Sequence, residues 1–357
     1  MKEIVQEILN NFNLREQDII FRRYGLTFKE IEESLEAIGR DYHITRERVR
    51  QIQNKIINKL KPIINNHPKI DEFTQKAKSL LEPLGIKEEN RFYSILLKEK
   101  IIEREDIKFV KFILIFREDI VYHKGDEILK SLLAKEKDVF LFFKHLSERL
   151  YKLFSENINK ILLEEEVLNL IEQELKRHIN TPVEKEELME VLRILRGLYK
   201  NPFNHWGLDG NKFVVPSSLK EKIYLILKNE GKPMHFSQIY ERLEELRKIE
   251  NEFLHFYWKK TYSLDSLKNE LIKHDDFVLV GRGIYALKEF GYPEGTIYDL
   301  IKNFISEKKI TNFNEIYNFI SNLKIFKPNT LIIYLYKLQK EGFIQIDKNN
   351  NIILKNV

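Results

Sequence analysis

The segment from Ser34 to Leu60, S-L-E-A-I-G-R-D-Y-H-I-T-R-E-R-V-R-Q-I-Q-N-K-I-I-N-K-L, leaves this chain little local freedom. Counted from Leu35, the apolar residues Ile38, Tyr42, Ile44, Val49 and Ile52 fall where two short helices crossing at a steep angle are clamped together. Gly39 has no Cβ to hold the second helix away from the first. Thr45 is a natural N-cap, and Val49, Ile52, Ile56 and Leu60 then recur every three or four positions, so one face of the following helix is buried. Its remaining surface carries Arg46, Arg48, Arg50, Lys55, Lys59 and Lys61 against a single Glu47. Arginines at a helix start oppose the helix dipole, so local stability does not explain them, whereas a phosphate or base partner does. The pattern is that of a helix-turn-helix whose second helix fits a major groove. Thr45, Arg46, Glu47, Arg48, Arg50, Gln51, Lys55 and Lys59 are the candidate DNA-binding residues. The competing reading is a solvated basic face in a helical bundle.

The octapeptide T-R-E-R-V-R-Q-I, preceded by L-E-A-I-G and by L-R-E-Q-D-I-I-F-R-R-Y-G-L, resembles region four of bacterial primary sigma factors. The resemblance covers about the first 60 residues. It implies that Arg46, Glu47, Arg48, Arg50 and Gln51 contact the upstream promoter element and that Leu14 to Leu26 faces RNA polymerase. The linker T-F-K-E-I-E-E-S between the two parts departs from the family's usual one.

With 357 residues the chain has room for two to four small domains, each with a real core. The net charge of +5 is too modest to argue affinity for polyanions, so local patches must carry that argument. There are no cysteines, which excludes disulfides, thiol nucleophiles and cysteine-based zinc sites. No leader is visible, and no apolar run approaches the ~20 residues of a membrane helix, so a cytoplasmic, nucleoid-associated protein with no membrane partner is expected.

Pro62 and Pro68 close an N-terminal domain over residues 1–66. Residues 67–200 read as a helical linker or spacer: one helix carries the stripe from Val139 to Phe154, a second covers Ile158 to His178, and a third follows Thr181-Pro182 with Glu184 and Glu186 in its first turn. From Ser217 the pattern becomes three helices and a hairpin, the winged-helix order. F-V-L-V and I-Y-A-L form its strands, and Gly281 and Gly283 its tight turn. Arg282 at the tip either enters a minor groove or meets phosphate, or is a surface arginine on a structural hairpin. Lys259 and Lys260 close an aromatic extension and are candidate phosphate contacts. The motifs H-F-S-Q-I-Y, L-K-N-E-L-I and F-V-L-V-G-R-G-I-Y-A-L-K-E-F-G-Y resemble the HARE-type winged helix-turn-helix over residues 216 to 292, a family whose members bind either DNA or protein. The last 60 residues repeat the order, with a helix capped by Asn329 and with Lys324, Lys327, Lys337, Lys340 and Lys348 available for phosphate or for a protein dock.

No Walker loop, G-x-G-x-x-G or H-E-x-x-H is present, and the nine histidines are scattered. Glu270, Asp275 and Asp276 suit a turn better than a nuclease metal site. The expectation is therefore a mainly α protein with an N-terminal helix-turn-helix, a helical middle and two C-terminal winged helices, at 213–292 and 293–357. It is expected to be a sigma-like, sequence-specific transcription regulator and not an enzyme. Its partners are double-stranded DNA and RNA polymerase core, with no cofactor, no metal and no small-molecule substrate. The alternative is a polymerase accessory subunit with incidental DNA contact.

Overall fold

The computed structural model describes residues 1–156, 159–177, 183–293 and 295–355. The chain is mainly helical with small three-stranded sheets, as the sequence pattern leads one to expect. It divides into two units, residues 1–157 with 164–198, and residues 158–163 with 199–357. No described helix is long and apolar enough to cross a membrane.

The first unit opens with α1 (Lys2–Leu9), α2 (Leu14–Arg23), α3 (Leu35–Asp41) and α4 (Arg46–Asn65). Asn13, Ser34 and Thr45 cap the last three, each accepting from a first-turn amide at 2.9 to 3.2 Å. Ile19, Ile38 and Val49 are fully buried where α2, α3 and α4 meet. A Cβ on Gly39 would lie 2.7 Å from the Ile44 carbonyl oxygen and 3.4 Å from Val49, so glycine is what lets the turn close. The turn itself runs through His43 at φ +54°, a left-handed residue that the sequence pattern does not disclose. Contrary to expectation, α4 does not stop at Pro62. The proline lies inside the helix, which ends one residue short of Asn66. Pro68 starts the next helix, where its missing N–H has no cost.

Beyond α4 follow α5 (Pro68–Ser79), β1 (Ile86–Glu88), α6 (Glu89–Lys98), α7 (Ile107–Phe116), β2 (Val121–His123) and β3 (Leu132–Ala134). The sheet order is β1-β3-β2, both pairs antiparallel. The expected helical spacer thus contains a winged-helix order of its own. That order recurs along the chain in α8 (Lys137–Ser155), β4 (Leu162–Leu163), α9 (Glu164–Leu175), α10 (Lys185–Arg193), β5 (Leu198–Lys200) and β6 (His205–Leu208), with sheet order β4-β6-β5. The expected second helix is therefore shorter and preceded by a strand. Ile158, His178 and Thr181-Pro182 lie outside the described residues.

The second unit contains two further runs of this element order. One comprises α11 (Leu219–Glu230), β7 (Met234–His235), α12 (Phe236–Arg247), α13 (Leu264–Lys273), β8 (Phe277–Gly281) and β9 (Ile284–Leu287). The other comprises α14 (Ile297–Lys308), β10 (Ile310–Thr311), α15 (Phe313–Leu323), α16 (Pro328–Lys340), β11 (Ile344–Ile346) and β12 (Ile352–Leu354). Their sheets run β7-β9-β8 and β10-β12-β11. In three of the four modules the short first strand delivers the cap of the next helix. Glu88, His235 and Asn312 accept from amides of α6, α12 and α15 at 2.9, 3.3 and 3.0 Å. Asn329 is not the cap of α16. The helix starts at Pro328, whose ring fixes a helical φ, and Lys327 is the residue before it. Gly283, at φ +71°, makes the β8–β9 turn, whereas Gly281 serves a close approach. A Cβ there would stand 2.5 Å from the Ile325 carbonyl oxygen. The Ile325 amide donates to the Val280 carbonyl at 3.0 Å, and the buried Lys324 donates to the Leu279 carbonyl at 2.6 Å.

Lys222 on α11 is fully buried, its ammonium donating to the Tyr257 carbonyl and, at 3.3 Å, to the Tyr262 hydroxyl. Burial, and secondarily the Lys260 charge, hold its pKa down to about 8.

Two outcomes follow. Gly39→Val should cost about 1–3 kcal/mol by overpacking the turn, while His43→Gly should gain about 1 kcal/mol by relieving left-handed backbone. Urea midpoints of the two variants check this pair. For Lys222 the unfolded chain binds the proton more tightly, so its burial penalty is fully present below about pH 8. The penalty is relieved as pH rises from there towards the ordinary lysine value. The difference in denaturation midpoint between wild type and Lys222→Met should therefore shrink or reverse across that window, and a difference that does not vary with pH contradicts the assignment.

Candidate nucleic-acid interface

The exposed surface of α4 is set by what braces its other side. Ile56, Leu60 and Ile64 are buried in a core shared with Phe109, Phe112 and Phe116 of α7 and with α1. Tyr24 meets Phe112 and Phe116 edge-on at 5.3 Å, and its hydroxyl accepts from Gln53 of α4 at 3.0 Å. At the end of α4, Arg117 donates to the Ile64 carbonyl at 3.2 Å, and Asn65 donates to the Phe116 carbonyl at 3.0 Å. The linker that departs from the sigma pattern is held in the same way. Lys108 donates to the Thr27 carbonyl at 3.0 Å, and Glu32 pairs with Lys111 at 3.4 Å and Lys124 at 3.0 Å.

Arg22 ties α2 to this framework from inside. It pairs with Glu33 at 2.6 Å, with Asp41 at the end of α3, and with Asp18 at 3.6 Å. Bonding to Arg22 holds the Glu33 carboxyl below the usual range. Tyr42, at the end of α3, donates to Asp18 at 2.8 Å and lies under the Arg15 guanidinium.

Against this frame Thr45, Arg46, Glu47, Arg48, Arg50, Gln51, Lys55 and Lys59 are all exposed. Helical spacing puts Arg46, Glu47, Arg50 and Gln51 on one face, opposite Val49, Ile56 and Leu60. Arg50 forks onto Glu47 through two bonds of 2.8 and 2.7 Å, and this bonding holds the Glu47 carboxyl below its ordinary pKa. Arg48 donates to Gln51 at 3.1 Å, and Lys55 lies 3.7 Å from Glu16 of α2. One edge of the Arg50 guanidinium is thus taken up by Glu47 in the planar, two-bonded arrangement a carboxylate favours.

Of the remaining candidates, Arg282 is exposed at the β8–β9 turn, and Lys260 is exposed after a short 3-10 turn at Phe256–Lys259. Lys259 is engaged locally, donating to the Ile249 carbonyl at 2.6 Å and pairing with Glu250 at 3.1 Å. Lys324 is buried and not available for phosphate, because its ammonium serves the edge of β8. Lys337 lies over the Tyr298 ring and 3.8 Å from Glu341. Glu270 bonds His274 at 3.0 Å and Asp276 pairs with Lys220 at 2.6 Å. Among the described residues no three His, Asp or Glu gather as metal ligands. Sequence reasoning missed Arg22 and the α7 phenylalanines. Arg22 gives no signal, but the run F-V-K-F-I-L-I-F is too apolar for an exposed helix and points to burial on more than one side.

Residues 8–61 match the family described as Sigma-70, region 4. RNA polymerase sigma factor RpoD of Helicobacter pylori is 41% identical over 61 residues, 17% of this chain and 9% of that protein. RNA polymerase sigma factor SigA of a Nostoc species is 38% identical over 61 residues, 17% of this chain and 15% of the relative. RpoD of Neisseria gonorrhoeae is 36% identical over 61 residues, 17% and 9% of the two chains. The chain therefore spans a small fraction of the length of these relatives. The N-terminal segment carries a sigma-70 region 4 domain, and the likeness to these sigma factors is confined to it.

Proposed function

We propose that the chain is a transcription regulator that reads promoter DNA through α4 and works in contact with RNA polymerase core. The exposed basic face of α4, on a helix capped by Thr45 and braced from behind by α7, carries this reading. Arg46, Glu47, Arg50 and Gln51 read base edges, while Arg48, Lys55 and Lys59 hold phosphates. Residues 213–292 act as a HARE-type winged helix, and 293–357 as a further one, adding affinity through a second contact that linkage makes effective. The proposed role is modulation of initiation. No enzymatic step is assigned.

A second reading, a polymerase accessory subunit with weak DNA contact, draws on the third helices of the four modules. In a DNA-reading winged helix that element presents basic or polar side chains to a groove. Here α7 and α10 bury their faces, and α16 exposes Ile332, Ile333 and Tyr336 at 55, 64 and 69%. A helix of that kind suits protein contact better than phosphate.

Under the first reading Arg50→Ala should cost about 1–3 kcal/mol on the preferred site and relax sequence preference. Lys59→Ala should weaken all sequences alike and reduce the salt slope by about 1. Anisotropy titrations of duplex DNA at several salt concentrations check both. Unchanged affinity in both variants, together with copurification with polymerase, would leave the second reading standing.

A further inference from the structure

Within the second unit a groove of about 1060 Å3 lies between β8 with its turn and the first residues of α14 and α16. That size is at the upper end of the concave sites that hold ligands in proteins, roughly 300–1,000 Å3. Leu279 and Ile325 lie open in its lining, 52% and 49% exposed, with Tyr334 beside them. Apolar side chains left half-exposed in a concavity favour an apolar occupant. Arg282 and Lys327 stand in the same lining, both exposed and neither in an ion pair among the described residues; Asp275 is the acidic side chain there.

We propose that this groove binds an acidic peptide segment of a partner protein, with apolar side chains on Leu279 and Ile325 and carboxylates against Arg282 and Lys327. Charge complementarity and the apolar lining together select this occupant. A duplex backbone offers phosphates to the two cations but nothing apolar to Leu279 and Ile325, and a concave site does not enter a groove as α4 can. Arg282 is thereby given a carboxylate instead of a phosphate. The inference is independent of DNA reading by α4, and the two fail separately.

The test uses the full chain and a fluorescein-labelled peptide of alternating glutamate and leucine, titrated by anisotropy. Binding should weaken at least tenfold in Arg282→Glu, in Lys327→Glu and in Leu279→Asp, with Arg282→Lys retaining most of it. Alternating glutamate–serine and lysine–leucine peptides should bind at least tenfold more weakly than glutamate–leucine. Duplex affinity and the thermal melt should not change in these variants, whose substituted side chains are exposed. Equal binding of the glutamate–serine peptide would reduce the site to non-specific charge and overturn the proposal. Loss of duplex affinity in Arg282→Glu and Lys327→Glu would transfer the site to nucleic acid and overturn it as well. So would peptide affinity indifferent to all three substitutions.

Discussion

A helix-turn-helix of some sixty residues is marginal in the interior it can set behind a twenty-residue helix. Here the missing interior comes from α7, whose Phe109, Phe112 and Phe116 close over Ile56, Leu60 and Ile64. Burying a side chain of this size stabilises by about 1.5–3 kcal/mol, so three phenylalanines outweigh any single surface pair in the domain. The orientation of α4 rests on that contact. With its rear sealed, the helix has one direction in which to present Arg46, Arg50 and Gln51. The price is that α7, the third helix of its own module, has no face left with which to read a groove.

The same element order thus performs different tasks along one chain. Four three-stranded sheets share one strand order, first-third-second, among the described residues. Their third helices nevertheless diverge. α7 is apolar nearly all round and buried, whereas α10 buries Glu190 and Arg193 as an ion pair of 2.8 Å that also approaches Lys87 of β1. α13 keeps Leu267 and Leu271 inside and polar residues out, and α16 turns isoleucine and tyrosine outward. A fold of this kind is a scaffold, and what each copy does depends on which side chains that one helix displays.

Much of this could be read from the residues alone. The clamp positions Ile38, Tyr42, Ile44 and Val49, the cap Thr45 and the exposed arginines follow from spacing and charge, because helical periodicity and capping act locally. The hairpin of residues 277–287 was legible for the same reason, its strands running five and four residues and its turn being flanked by glycine. The first two modules were not. Their first strands run for only three and two residues, Ile86–Glu88 and Leu162–Leu163, too short for a period of two to appear. The left-handed His43 was hidden because histidine, unlike glycine, does not announce that geometry. Arg22 and Lys324 were opaque for a different reason. Each looks like a surface cation until a distant partner, Asp41 or the Leu279 carbonyl, is brought to it by the fold.

The backbone bond between Ile325 and Val280 has a consequence for how such a chain behaves in a crowded solution. A strand at the border of a sheet is a template on which another molecule can add its own strand, and β-rich edges are common starting points of aggregation. In this protein β8, with its Phe277-Val278-Leu279-Val280 run, would be an adherent edge of that kind. Gly281 lets the segment before α16 lie flush along it, and Lys324 places a charge at the seam. Two modules that share so little sequence therefore protect one another, and cutting the chain between them should expose what each now conceals.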